Sequence, residues 1–69
     1  MKLYLKLEEE FQELQQKIIR LKDFIDSDIY QKLPDESKAL LFIQHEAMRT
    51  YGSCLVARIK LIMNRDIKG

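Results

Sequence analysis

Apolar residues recur along the first third of the chain at spacings of three and four: Leu3, Leu7, Phe11, Leu14, Ile18, Leu21 and Ile25. That is the period of an α-helix with one face turned to a core, sustained over about six turns. It predicts a first helix from roughly Lys2 to Asp26. A break follows at "SDIYQKLPDES", residues 27 to 37, which holds the single proline. Ser27 or Asp26 can cap a short helical piece of about residues 28–33. Pro34 suits the first turn of a new helix, with Asp35 and Glu36 at its positive end. A second long helix is then expected from about Asp35 to Asn64. Two long helices joined so tightly make an all-α, antiparallel two-helix hairpin within a single domain over residues 1–69.

The second helix has a wider apolar face than a hairpin needs. At 100° per residue from Leu41, the positions Ile59, Met48, Leu55 and Ile62 fall on one side, and Val56 and Met63 extend it the other way. Leu40, Ala47 and Cys54 widen the arc to roughly 200°, about twice the stripe that one packed helix uses. Much of it would stay exposed against one partner helix, so a homo-oligomer is expected. Gly52 and Ser53 sit mid-helix at a cost of about 1 kcal/mol in propensity. A close backbone approach, a ligand or chance would each account for Gly52.

Inside that arc runs a heptad series of polar residues, Gln44, Tyr51, Arg58 and Arg65. Arg58 is therefore expected to be a buried or interfacial cation, which requires a partner. An interhelical pair with Glu10 is one answer. The other is a ligand phosphate met by Arg58 with Tyr51 or Arg65, a task suited to the guanidinium fork. On the first helix Tyr4 and Phe11 are seven residues apart, with Lys22 at nearly the same angle. Rings beside a cation can stack a base and neutralise a phosphate. The alternative has Phe11 in the core, Tyr4 partly covered and Lys22 solvated. Lys17, on the other flank, is equally open between a ligand contact and a snorkelling surface lysine.

Composition narrows the chemistry. One cysteine, Cys54, in 69 residues excludes an internal disulfide, and such a short chain buries only a small core. The net charge of +1 argues against a binder of long nucleic acid. Residues 47–69 nevertheless carry five Lys/Arg against Asp66 alone, enough for a small anion. No apolar run reaches the length of a membrane span or a signal-peptide core, so a soluble intracellular protein is expected. "HEAMR" starts like a zinc-protease motif, but Arg49 stands where the second histidine belongs, so no metal is expected. His45 reads as a surface histidine and Cys54 as a packed thiol. With no glycine-rich phosphate loop and no nucleophile, base and orienting group to assemble, neither a cofactor nor an enzyme is expected.

The runs "EEEFQELQQKIIRLKDFI" and "YQKLPDESKALLFIQHEAMRTYGSCLVARI" resemble the hairpin domain shared by phage anti-CBASS and anti-Thoeris proteins. The match lies in Glu10-Phe11, Leu14, Lys17, Leu21, Phe24-Ile25, Leu33-Pro34, Leu40-Leu41, Gln44, Met48, Tyr51, Leu55 and Arg58-Ile59. Many of these positions suit any helical hairpin; Gln44, Tyr51 and Arg58 carry most of the information. The resemblance implies a sponge in the host cytoplasm: an oligomer, hexameric in the best-known branch, that binds cyclic oligonucleotide immune signals between subunits without cleaving them. The ligands it implies are cyclic dinucleotides such as cGAMP, cyclic trinucleotides or cyclic ADP-ribose isomers. Carried over by position, the binding residues are Tyr4 or Phe11, Lys17 or Lys22, and Arg58. Phe11 lacks the hydroxyl of the tyrosine common in that family, which leaves the choice of ligand open. A small adaptor coiled coil binding a protein through its apolar face is the alternative reading.

Overall fold

The computed structural model describes residues 3–68, with side chains to residue 65. It contains three helices, α1 (Leu3–Ile25), α2 (Asp28–Gln31) and α3 (Asp35–Lys68), and no strand among the described residues. The expected start at Lys2 lies outside the described residues. α3 runs past Asn64 to Lys68, since no proline or glycine interrupts it there.

The break between the long helices is built as its residues dictate. Ser27 leaves the helical backbone with φ −87° and ψ 160°, and its hydroxyl accepts the Tyr30 amide proton at 3.3 Å, capping α2. α2 stops at Gln31, short of the expected residue 33. Lys32 and Leu33 donate to the Ile29 and Tyr30 carbonyls at 3.1 Å, the tighter three-residue pattern. Leu33 precedes Pro34, whose ring disfavours a helical conformation in the residue before it. The Tyr30 hydroxyl then donates to the Lys38 carbonyl at 3.0 Å, and its ring meets Phe24 edge-on at 6.3 Å. One tyrosine thus ties the end of α1 to the first turns of α3.

α1 packs along α3, and the meeting order runs in opposite directions on the two helices. Lys22 lies in one hollow with His45, Ile18 with Arg49, and Glu8 with Lys60. The core between them is small. Leu7, Leu14, Leu55 and Ile59 are its buried apolar side chains among the described residues, with Phe11, Ile18, Met48 and Ile62 packed around them. Every other apolar side chain among the described residues is half-buried or exposed, and the molecule is a rod of 54 × 16 × 15 Å.

The wide apolar arc of α3 resolves into two faces. Leu41, Met48, Gly52, Leu55 and Ile59 turn towards α1, while Leu40, Ile43, Ala47, Cys54 and Leu61 are exposed. His45 corrects the sequence reading. It stands 40° from Leu41 on the wheel, inside the face that meets α1, and is buried to 8% exposure rather than solvated. Cys54 corrects it in the other direction, being exposed rather than packed.

Candidate functional site

The contact between α1 and α3 leaves two long edges, and they differ chemically. Along the first, Phe11, Gln15 and Ile18 of α1 face Arg49, Gly52, Ser53 and Val56 of α3 around a hollow of about 370 Å³. Its lining combines apolar Phe11, Ile18 and Val56 with polar Gln15, Arg49 and Ser53. A hollow of about 290 Å³ continues it towards α2, lined by Ile18, Ile19, Lys22, Asp23, His45 and Arg49. Another of about 310 Å³ continues it the other way, between Glu8, Phe11, Gln12 and Val56, Ile59, Lys60, Met63. Phe11 and Arg49 each border two of the three. Volumes near 300 Å³ are at the small end of ligand sites, which typically span about 300 to 1,000 Å³.

Gly52 keeps the central hollow open. A Cβ there would sit 3.6 Å from Leu14 Cδ2 and 3.7 Å from Phe11 Cε1. That is ordinary contact, so a larger residue would fit but would occupy part of the floor. Arg49 gives the rim its charge. It is exposed and lies 3.6 Å from Glu46, a loose surface pair of the kind that contributes about 0–1 kcal/mol and yields readily to a better anion.

On the second edge the Tyr51 hydroxyl donates to the Glu10 carboxylate. That hydrogen bond raises the tyrosine's pKa, with a smaller contribution from burial and from the carboxylate's charge, while Arg58 acts in the opposite sense. Arg58 is exposed, and its expected partner Glu10 is held by Tyr51 instead, so the Glu10–Arg58 pair expected within one chain does not form. Lys17 and Arg65 are exposed as well.

The seven candidate binding residues are therefore split. Phe11 and Lys22 lie on the first edge, and helical spacing puts the half-buried Tyr4 on the same flank as both. Lys17, Tyr51, Arg58 and Arg65 belong to the second edge, where Glu10 adds a negative charge. Lys22 also bonds Asp26 at 3.0 Å, with both side chains more than half exposed. Sequence reasoning missed Arg49, Gln15 and Ser53. A signal existed: Gln15 follows Phe11 by four residues, and Arg49 precedes Gly52 and Val56 by three and seven, the offsets that share one helix flank. Among the described residues no group of three His, Cys, Asp or Glu could hold a metal ion.

The Sequestin family model matches residues 1–61 of the 69-residue chain. No curated protein and no solved structure matches the chain.

Proposed function

The chain belongs to the Sequestin family, and from that footing we propose that it is a phage anti-defence sponge that sequesters a cyclic nucleotide immune signal. The family's name denotes sequestration, and the resemblance in sequence to anti-CBASS and anti-Thoeris hairpins supplies the class of cargo. In this reading the protein is an antiparallel hairpin that assembles as a homo-oligomer in the host cytoplasm. It binds cyclic dinucleotides, cyclic trinucleotides or cyclic ADP-ribose isomers stoichiometrically, without cleavage, and so keeps them from their effectors.

The observation that carries this reading is the first-edge hollow, with the Phe11 ring and the aliphatic floor beside the Arg49 guanidinium. An aromatic face stacks a base, and a guanidinium grips a phosphate with two hydrogen bonds. Gln15 and Ser53 add amide and hydroxyl groups for the base edge or the ribose. The second edge is a poorer place for an anion near Tyr51, because the Glu10 carboxylate occupies the hydroxyl.

Isothermal titration calorimetry against the three ligand classes tests the reading. Saturable binding is expected for at least one, with the ligand recovered at unchanged mass after the protein is denatured. Arg49→Ala should weaken that binding roughly 10- to 100-fold, the effect of losing hydrogen bonds to a charged group worth about 1.5–3 kcal/mol. Heat-silent titrations against all three classes at micromolar protein would sink the proposal. The exposed outer face of α3 favours an adaptor as the second reading. An adaptor would retain a protein partner in a pull-down and be indifferent to Arg49→Ala.

A further inference from the structure

We propose that the outer face of α3 is the docking surface for a second copy of the chain, paired antiparallel about a two-fold axis at the level of Gly52. This deepens the homo-oligomer reading above by naming the face, the direction and the register.

The face is apolar and open. Ile43 is 60% exposed and Leu61 61% exposed, and between them Ala47, Thr50, Cys54 and Ala57 are exposed too. These six recur at alternating spacings of four and three, the seam of a coiled coil, on the side of α3 turned away from α1. The chain also exposes more surface than its mass warrants. A compact monomer of 8.3 kDa exposes about 4,600 Å², whereas this one exposes 5560 Å². The surplus, on the order of 1,000 Å², is close to the roughly 800 Å² that each partner buries in a standard interface.

Reversal about the Gly52 level makes the seam self-complementary. Ile43 then meets Leu61 of the second copy, Ala47 meets Ala57, and Thr50 meets Cys54, so bulky ends surround a close-packed centre. Charge selects this direction. The flanking residues bring Glu46 against Lys60 and Gln44 against Arg58, each twice by symmetry. Parallel pairing would instead set Lys60 beside Arg65 twice, with the two helix dipoles aligned. Glu46 is half-exposed and only loosely held within its own chain, 3.6 Å from Arg49 and 3.6 Å from His45 Nδ1, so it is available to a lysine. The two Tyr51 side chains come to the same flank as both Arg58 side chains, making the second edge a surface shared by two copies.

The pairing is tested by cysteine cross-linking and light scattering. Ala47→Cys and Ala57→Cys are each made together with Cys54→Ala. Positions 47 and 57 are about 15 Å apart along one helix, too far for a bridge within a chain. Oxidising either variant alone should leave single chains on a non-reducing gel, and oxidising the mixture should give covalent dimers. In the otherwise natural chain, Ala57→Arg should convert an even-numbered assembly to monomer by light scattering with helix content kept, since that position faces away from α1. Cross-linking of each variant with itself, or a strict monomer before substitution, would overturn the proposal. No nucleotide enters these measurements, so their failure leaves ligand capture standing, and silent calorimetry leaves the pairing standing.

Discussion

Tyr51 and Glu10 lie forty-one positions apart in the chain and share one hydrogen bond, donated by the phenol to the carboxylate across the contact between α1 and α3. The bond favours the protonated phenol, so the folded-state pKa of Tyr51 is raised. Its contribution to stability is fully present below the ordinary tyrosine pKa of about 10 and is lost as pH rises through the higher folded value. An ultraviolet absorbance titration should show Tyr51 ionising later than a free tyrosine, with Tyr51→Phe removing that late step. Glu10→Gln should return it towards the usual range. A late step that survives Glu10→Gln would show that the carboxylate is not its cause.

Among the described residues Leu55 is the one large side chain with no exposure at all. Leu55→Ala removes buried methyl groups and leaves a cavity, a change that costs about 2–5 kcal/mol. Native stability runs at about 0.05–0.15 kcal/mol per residue, only several kcal/mol for a chain of this length. The variant should therefore lose a large share of that stability and melt at a markedly lower temperature by far-ultraviolet circular dichroism, and a melting temperature near wild type would contradict the core described above.

Gly52→Ala should do the opposite. The new methyl meets Leu14 and Phe11 at ordinary contact distances, while the helix gains about 0.8–1 kcal/mol in propensity. For so small a domain that corresponds to a rise of roughly 4–8 °C in melting temperature. The same methyl fills part of the hollow floor, so stability should rise as ligand affinity falls. Parallel gains in both would place the cargo elsewhere.

Tyr30→Phe deletes the bond to the Lys38 carbonyl but keeps a ring against Phe24. A loss of about 0.5–1.5 kcal/mol is expected in a urea melt, the usual net value of one hydrogen bond. No measurable change would mean that water replaces the tyrosine at that carbonyl without loss.

The two long helices were legible because their apolar period is sustained and the break between them carries the Ser27 cap of α2, the chain's single proline and the acidic first turn of α3. The second face of α3 was legible only as excess width. Treating that width as one seam displaced its centre, which put His45 outside and Arg58 inside when α1 in fact covers the Leu41 and Ile59 side. The hollow could not be read from either helix alone. It depends on which turn of α1 lies opposite Gly52, and α2 sets that register through Ser27 and Tyr30. Periodicity gives each helix its faces but carries no information about how far one slides along the other.

The opposite running order of the two helices also sets a folding sequence. Tyr30 and Lys38 are eight residues apart, Lys22 and His45 twenty-three, and Glu10 and Tyr51 forty-one. Each contact shortens the loop that the next must close, so the chain can zip outward from α2 at little added entropic cost per step. Stopped-flow kinetics should then find Tyr30→Phe slowing folding, and Ile59→Val chiefly hastening unfolding. A protein closed in that order frays first at its open end, where Leu7 and Ile59 are the last buried pair to lock.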